Sequence, residues 1–313
     1  MMGNKEKNFI SVVIYVHNAQ DWIEMFLRDI MQVIEEHFEH SEIICVDDFS
    51  DDNSNLIIEK VSKDISHTSI SILHMSYFHG AEAAMSAGVD LAIGDFVLEF
   101  DSVMHNLNQE VVMQVYYKSL EGYDIVSASP KGPQKISTKI FYKLLNRASQ
   151  FTYEIRTESF RILSRRVINR IGSMNKSVLY RKAVYANCGL PVFHLNYDVE
   201  ETDRKKADGT EKQYRRNLAV DTLILFTQIG FKTALGITFF MMAVVLFVMI
   251  YSLIVYMVST TVEGWTTTIL FMAFGFLGLF GILTIIIKYL QIIVNLLFRK
   301  KYYSFEEIEK LTK

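Results

Sequence analysis

Residues 42–54 read Glu42-Ile-Ile-Cys-Val-Asp-Asp-Phe-Ser-Asp-Asp-Asn-Ser54, a short apolar run that changes abruptly into acidic and small polar residues. The apolar part has the length and the Ile/Val content of a buried strand. The pattern recurs in Asp95-Phe-Val-Leu-Glu-Phe-Asp-Ser-Val-Met-His-Asn106, where an apolar run delivers Asp101 to a loop. Two strands that both end in carboxylates predict a binding site at one edge of a sheet.

Strand-length apolar runs recur along the N-terminal part of the chain, with helical patterns between them. The runs are rich in Ile and Val and mostly continuous, as strands buried on both faces are. Between them, residues 20–38 carry one apolar stripe and residues 81–92 are rich in small side chains. This alternation predicts an α/β fold with an open, mostly parallel sheet and helices on both faces. The runs lie at 9–16, 42–46, 69–73, 95–100 and 123–127.

Glycine is missing where two common nucleotide-binding motifs would need it. No glycine occurs between Gly3 and Gly80, so neither G-x-G-x-x-G nor a P-loop follows the first strand. A nicotinamide-dependent oxidoreductase and a P-loop NTPase are therefore disfavoured. A ligand is expected instead at the carboxyl ends of the strands, beside His17-Asn18, Asp47-Asp48 and Asp101.

Long apolar segments dominate the C-terminal part of the 313-residue chain. Residues 233–262 contain no charged side chain, and such a run exceeds the roughly 20 residues that cross a bilayer. A second apolar run covers 264–298, and Lys and Arg residues lie before the first run and after the second. The positive-inside rule therefore predicts a multi-pass protein of the cell membrane, with two spans and both termini cytoplasmic.

These features together predict a division of the chain into five parts. We expect a cytoplasmic α/β domain over 1–215, a juxtamembrane amphipathic segment over 216–232 and a transmembrane helix over 233–258. A second transmembrane helix with a cytoplasmic extension is expected over 264–298, and a charged cytoplasmic tail over 299–313. The formal net charge of −3 gives no reason to expect a nucleic-acid partner. The lipid bilayer is an expected partner, and the two-span anchor allows packing into a homo-oligomer.

The order of the motifs resembles glycosyltransferase family 2, and within it the polyprenyl-phosphate sugar transferases similar to dolichol-phosphate mannose synthase and bactoprenol glucosyltransferase. Residues 42–54 resemble its V-D-D-G-S-x-D-x-[ST] segment, and residues 80–95 resemble its G-x-E-x-A-x-x-x-G-x-x-x-A-x-G-D helix. Residues 141–147, 159–166 and 209–214 are similar to later elements of the same family. The resemblance implies a GT-A fold, a Rossmann-like domain, followed by two transmembrane helices.

This resemblance implies an inverting, membrane-anchored enzyme that moves a sugar from a UDP- or GDP-linked nucleotide-sugar to a polyprenyl phosphate on the cytoplasmic leaflet. The product would serve a surface polysaccharide or a glycan modification. A phosphate monoester is already ionised near neutral pH, because its second pKa is about 6, so the acceptor needs no strong general base. The demanding step is neutralisation of the leaving diphosphate, which Mg²⁺ or Mn²⁺ performs when carboxylates hold the ion.

The sequence departs from the family where that ion is expected. Asp101 matches the first acidic residue of the D-x-D motif, but the second is matched by Val103 and the next ligand position by His105. Any Mg²⁺ or Mn²⁺ would therefore depend on Asp101 and His105, and an absence of metal is the alternative. Phe49 stands at the glycine of D-D-G-S. A catalytically silent paralogue that acts as a scaffold or binding partner in a glycan-assembly complex is the second hypothesis.

The resemblance assigns candidate roles to individual residues. Asp47 and Asp48 have a structural alternative, because short acidic side chains also cap helices and one is expected to start near Asn53. Arg161 has an alternative role as well, which is to face anionic lipid rather than bind a phosphate group. The expected catalytic residues are Asp101, Arg161 and Lys131; the nucleotide-sugar residues are Tyr15, Asn18, Asp47, Asp48, Asp101 and Ser102; the acceptor-phosphate residues are Arg147, Arg161, Lys206 and Lys212.

Overall fold

The computed structural model describes residues 5–64, 68–105, 107–132, 135–148, 153–173, 180–198, 209–226 and 305–311, with isolated helical positions between 233 and 293. The chain divides into two compact units. The first contains Met1–Asn146, Phe151–Leu218 and Lys300–Lys313, and the second contains Arg147–Gln150 and Ala219–Arg299. The first unit holds the sheet and the candidate site.

Strands and helices alternate along the first unit. The strands are β1 (Ile10–Val16), β2 (Ser41–Asp47), β3 (Ser69–Met75), β4 (Phe96–Phe100), β5 (Ile125–Lys131), β6 (Phe160–Ser164), β7 (Val192–Asp198) and β8 (Phe305–Lys310). The helices are α1 (Ile23–His37), α2 (Ser54–Ser62), α3 (Ala81–Leu91), α4 (Gln109–Leu120), α5 (Ile136–Ala148), α6 (Arg165–Ser173), α7 (Arg181–Ala186) and α8 (Gly209–Phe226), the last of which continues into the second unit.

The strands form one mixed sheet in the order β7-β5-β6-β4-β1-β2-β3-β8. Strands β4, β1, β2 and β3 are parallel to their neighbours within that group, and β5 pairs in parallel with β7. Strand β6 runs antiparallel between β4 and β5, and β8 runs antiparallel beside β3. The predicted α/β fold and the five predicted strands are confirmed, whereas β6, β7 and β8 were not predicted.

The core lies on both faces of this sheet because β1 is buried along its whole length. Alternate residues of β1 point to opposite faces, so Val12 joins one apolar cluster and Val13 another. Helix α3 packs closely on the second face at Gly88, where a Cβ atom would lie 2.5 Å from Val13 Cγ1. The small residues of the 81–92 pattern therefore bring α3 close to the sheet.

The predicted location in the cell membrane is contradicted. Within the part of the chain that the structure describes, no helix is both long enough and apolar enough to cross a bilayer. The predicted spans at 233–258 and 264–298 fall mostly on residues outside the described set. The expectation of a multi-pass anchor with a cytoplasmic domain and cytoplasmic termini is therefore withdrawn.

The segment predicted as a charged tail contributes a strand. Phe305–Lys310 form β8, which pairs antiparallel with β3, with Leu73 opposite Ile308. An edge strand exposes unpaired backbone groups, and β8 covers that edge of β3 with a strand rich in Glu.

Candidate active site

The candidate site lies at the carboxyl ends of β1, β2 and β4. Strand β1 pairs with β2 on one side and with β4 on the other, so the loops after β1 and β4 diverge at this point. Open α/β sheets bind ligands at such a switch point. The loop after β2 begins with Asp48, and the loop after β4 begins with Asp101. The predicted gathering of strand-end carboxylates at one edge therefore agrees with the topology.

Asp48 is buried at this edge and accepts three hydrogen bonds. Its carboxylate accepts from the backbone N–H groups of His79 at 2.7 Å and Gly80 at 2.8 Å, and from the Tyr15 hydroxyl at 2.9 Å. Burial raises the pKa of Asp48, although these bonds oppose the shift. Burial, followed by the charge of Asp48, raises the pKa of Tyr15 well above its usual range. Tyr15 and Asp48 therefore bond to each other inside the protein. Asp48 also accepts from the backbone at the start of α3 and does not cap α2.

Asp47 is held by a different set of donors. Its carboxylate accepts from the backbone N–H of Ser50 at 3.0 Å, from Asn55 Nδ2 at 2.7 Å and from the His74 ring at 3.3 Å. Burial acts to raise the pKa of Asp47, but the bonds from His74, Ser50 and Asn55 outweigh burial and lower it. Asp47 is therefore a buried carboxylate that fixes the loop after β2.

The loops after β1 and β2 contain two residues with positive φ. Asn18 has a φ of 48° and Phe49 a φ of 59°. Asn18 Oδ1 accepts from the backbone N–H of Asp51 at 2.9 Å, which joins the two loops. Phe49 stands where the family pattern has glycine, and its backbone keeps a conformation that glycine adopts most easily. Its side chain is 56% exposed beside the site.

Asp101 lies between two arginines. Arg161 Nη2 donates to Asp101 Oδ2 and Arg181 Nη2 donates to Asp101 Oδ1, both at 2.5 Å. The same arginines meet again on Glu99, with Arg161 Nη1 2.7 Å from one carboxylate oxygen and Arg181 Nη1 3.0 Å from the other. Glu99 of β4, Asp101 directly after it and the two guanidinium groups therefore form a closed ring of ion pairs.

Further carboxylates hold the outer sides of this ring. Arg161 Nε donates to Glu158 at 3.0 Å, and Arg181 Nε donates to Glu82 of α3 at 3.1 Å. Burial acts to raise the pKa of Asp101, but the charges of Arg161 and then Arg181 outweigh it and hold that pKa well below its usual range. Asp101 is therefore ionised and neutralised from within the protein.

The side chains near Asp101 do not form the metal site that the resemblance implies. Val103 has no donor atom and packs against the apolar core. His105 is exposed, with its ring 5.7 Å from the ring of Trp22. Among the described residues, no group of three His, Cys, Asp or Glu side chains is placed to hold a metal ion. Asp101 and His105 thus do not fit as a Mg²⁺ or Mn²⁺ site.

The other predicted site residues have varied surroundings. Ser102 is exposed directly after Asp101. Lys131 ends β5 and pairs with Asp198 at 3.0 Å. Arg161 is only 1% exposed, so it does not present its charge to an acceptor phosphate or a lipid surface. Arg147 and Lys212 are exposed on α5 and α8, and Lys206 lies outside the described residues.

Sequence reasoning missed several members of the ion-pair network. Glu99 carried a signal, because a carboxylate inside the apolar run of β4 needs a buried cation. Arg181, at the start of α7, carried none, since its partners are 80 to 99 residues away in the chain. Lys182 follows it, with Nζ 4.0 Å from Glu158. Its burial lowers its pKa, but nearby Tyr142 and Glu158 raise the pKa overall, so Lys182 is charged.

The part of the chain that carries these carboxylates is similar to a known protein family. Residues 11–102, from β1 to the residue after Asp101, match the family model described as Glycosyl transferase family 2. Residues 11–102 are therefore similar to a glycosyltransferase family 2 domain. The chain is similar to an uncharacterized glycosyltransferase, sll0501, of Synechocystis sp. (strain ATCC 27184 / PCC 6803 / Kazusa), with 28% identity over 231 residues and 71% of each chain covered. It is also similar to the uncharacterized glycosyltransferase YkcC of Bacillus subtilis (strain 168), with 24% identity over 83% of this chain and 81% of YkcC.

One solved structure supports the fold described above. Glucosyl-3-phosphoglycerate synthase from Mycobacterium tuberculosis, in complex with phosphoglyceric acid, is similar with a TM-score of 0.50 and 16% identity. That match covers 71% of this chain and 81% of the synthase. The same synthase with Mn²⁺, UDP and glucosyl-3-phosphoglycerate gives a TM-score of 0.49 and 17% identity over the same shares. The first match supports a GT-A-like fold, and the bound groups belong to the synthase.

Proposed function

We propose that this protein is an inverting glycosyltransferase that takes a sugar from a UDP- or GDP-linked nucleotide-sugar. The observation that carries the proposal is the placement of Asp48 and Asp101 at adjoining strand ends of a family 2 domain, on either side of β1. A single displacement at the anomeric carbon expels the nucleoside diphosphate and inverts the configuration. The side chains at this edge are already fixed by hydrogen bonds, so binding needs little rearrangement of the loops.

We propose a polyprenyl phosphate as the acceptor, with the surface of α5 as the supporting observation. Ile136, Ile140 and Leu144 lie four residues apart on this helix and are 77%, 60% and 39% exposed. Residues spaced by four share one face of a helix, so these side chains form an exposed apolar stripe. The exposed cations Lys139 and Lys143 lie on α5 at the same spacing, and exposed Lys135 directly precedes the helix. The apolar stripe can bind the isoprenoid part of a polyprenyl phosphate, and the neighbouring cations can bind its phosphate group.

The position of α5 relative to the site favours this acceptor. Strand β5 ends at Lys131, on the same edge of the sheet as Asp101, and α5 begins five residues later. The Tyr142 hydroxyl of α5 lies 3.4 Å from the hydroxyl of Tyr180, which precedes Arg181. The helix therefore packs beside the Asp101 network, where an acceptor phosphate must meet the anomeric carbon. Exposed Ser102 lies at the same end of β4 and is a candidate donor to the nucleotide-sugar.

The test is nucleotide binding and sugar transfer by the full chain. Calorimetry with UDP and GDP should show binding of one of them, and mass spectrometry should detect a glycosylated polyprenyl phosphate when the matching nucleotide-sugar is supplied. 3-Phosphoglycerate serves as the competing acceptor, because it has the phosphate without the isoprenoid chain. Transfer to 3-phosphoglycerate alone would contradict the proposed polyprenyl acceptor. The proposal of glycosyltransferase activity would survive that result.

A catalytically silent scaffold in a glycan-assembly complex is the alternative function. The observation that favours it is Val103, which removes a carboxylate from the family pattern. This alternative predicts no heat of binding with UDP or GDP and no transfer to either acceptor. Such a result would overturn the transferase proposal.

A further inference from the structure

With Val103 at the second acidic position of the D-x-D motif, Asp101 is the carboxylate left to hold a metal ion, but it already has two cationic partners. Arg161 and Arg181 each donate to a different oxygen of Asp101 at 2.5 Å. Charge-assisted hydrogen bonds between a guanidinium group and a carboxylate are among the strong ones in proteins. A divalent cation at Asp101 would have to share these two oxygens with two guanidinium groups, which repel it.

The arginines are held so that they do not easily leave Asp101. Arg161 is 1% exposed and Arg181 is 2% exposed. Glu99 binds both of them, Glu158 binds Arg161, and Glu82 binds Arg181. Turning either guanidinium away from Asp101 would break one of its ion pairs inside the protein, where unpaired charge is costly. The pair is therefore a built-in part of the fold rather than a flexible surface contact.

The remaining positions of the D-x-D region do not supply a replacement ligand set. Val103 packs against the core without a donor atom, and His105 lies exposed against Trp22. Among the described residues 101–105, Asp101 is the only carboxylate, and cations already bind both of its oxygens, so these residues do not favour a divalent ion.

We propose that Arg161 and Arg181 occupy the Asp101 carboxylate in place of a divalent cation, so that this chain binds its nucleotide without a metal ion at Asp101. The proposal rests on the proposed function, because it concerns the nucleotide site of that transferase. It assigns Asp101 a positioning role: its charge holds the two guanidinium groups, and through them β6 and α7, beside the switch point.

Calorimetry of the full chain with UDP and GDP, in excess EDTA and in excess Mn²⁺, tests this inference. We expect the Kd in EDTA to lie within about threefold of the Kd in Mn²⁺, well short of the tenfold change that corresponds to about 1.4 kcal/mol. A Kd weakened more than about threefold by EDTA would overturn metal independence, while the transferase proposal would survive. Failure of both nucleotides to bind would instead count against the proposed function.

Mn²⁺ binding without nucleotide tests separately whether Asp101 is a metal ligand. Electron paramagnetic resonance reports free Mn²⁺ directly, and the full chain and its Asp101→Asn variant are titrated in parallel. We expect equal free Mn²⁺ in the two titrations, because Asp101 is not a metal ligand. Binding by the parent chain that the Asp101→Asn variant loses would overturn the proposal. Binding that persists in both identifies ions held elsewhere and agrees with it.

Discussion

Gly80 connects the Asp48 carboxylate to the start of α3, and its backbone conformation suits glycine alone. Its φ of 84° and ψ of 158° lie in a region that other residues avoid. A Cβ atom there would lie 2.1 Å from Tyr214 Cζ. We expect Gly80→Ala to cost about 1–3 kcal/mol for the backbone and about 1–3 kcal/mol more for the clash. Urea unfolding measures the sum.

Gly122 supplies the matched control for the Gly80 substitution. It also has a positive φ, 103°, but a Cβ atom there would meet nothing within 4 Å. Gly122→Ala should therefore lose only the backbone part, about 1–3 kcal/mol. Equal losses for the two variants would show that Tyr214 moves aside without cost, contrary to the packing described.

At the scale of elements, β8 is joined to the candidate site through His74 of β3. His74 Nδ1 lies 3.3 Å from Asp47 Oδ2, and His74 Nε2 lies 3.9 Å from Glu309 of β8. The hydrogen bond to Asp47 raises the pKa of His74; burial opposes this, and the charges of Asp47, Glu309 and Glu307 add to it. A protonated His74 therefore stabilises the fold below its unfolded pKa of about 6.5, and this stability is lost as the pH rises through the raised folded pKa.

We expect the melting temperature of the parent chain to fall as the pH rises through the folded pKa of His74. The His74→Gln variant should not show this fall. The contribution is about 1 kcal/mol, because His74 and Glu309 are partly exposed. His37→Gln is the control, since His37 bonds a backbone carbonyl rather than a carboxylate. The two variants should differ in Tm below about pH 6.5 and converge above the folded pKa. A constant difference across that range would show that His74 is neutral throughout.

A strand or helix could be predicted from the sequence where its burial requires a recognisable local pattern of apolar residues. Strand β1 is buried on both faces and therefore appears as a continuous apolar run. Strand β8 reads Phe-Glu-Glu-Ile-Glu-Lys, because an edge strand needs few apolar side chains, and it pairs with a strand far away in the chain. Strand β6 carries Arg161 in an otherwise apolar run, and only the partners of that arginine explain its burial.

Across the whole molecule, the gathering of carboxylates at one edge of the sheet was predictable from sequence, but the partners that hold them were not. The strand-end rule located Asp48 and Asp101 from sequence, because carboxyl ends of parallel strands share one edge. The ring of ion pairs and the carboxylates around it depend on contacts between β4, β6, α3 and α7. No local spacing in the sequence encodes such contacts. The sequence therefore indicated a damaged metal site at Val103, whereas the structure contains a different arrangement of charges.

The same network predicts where the first unit is most sensitive to loss of an arginine. Arg181→Met should cost about 3–5 kcal/mol, because it leaves buried carboxylates unpaired. Arg28→Met is the matched control: Arg28 also binds two carboxylates, Glu24 and Asp64, but all three side chains are at least 43% exposed, so the loss should be about 0–1 kcal/mol.

Adding Glu82→Gln to Arg181→Met separates lost charge pairing from lost packing. The amide removes one of the unpaired charges, so the double variant should recover part of the stability, whereas Glu82→Gln alone should destabilise the parent chain. Urea unfolding of the four proteins gives the coupling between the two residues. Additive losses would mean that the Arg181–Glu82 ion pair adds nothing to stability and that Arg181 acts on α3 through the packing of its side chain.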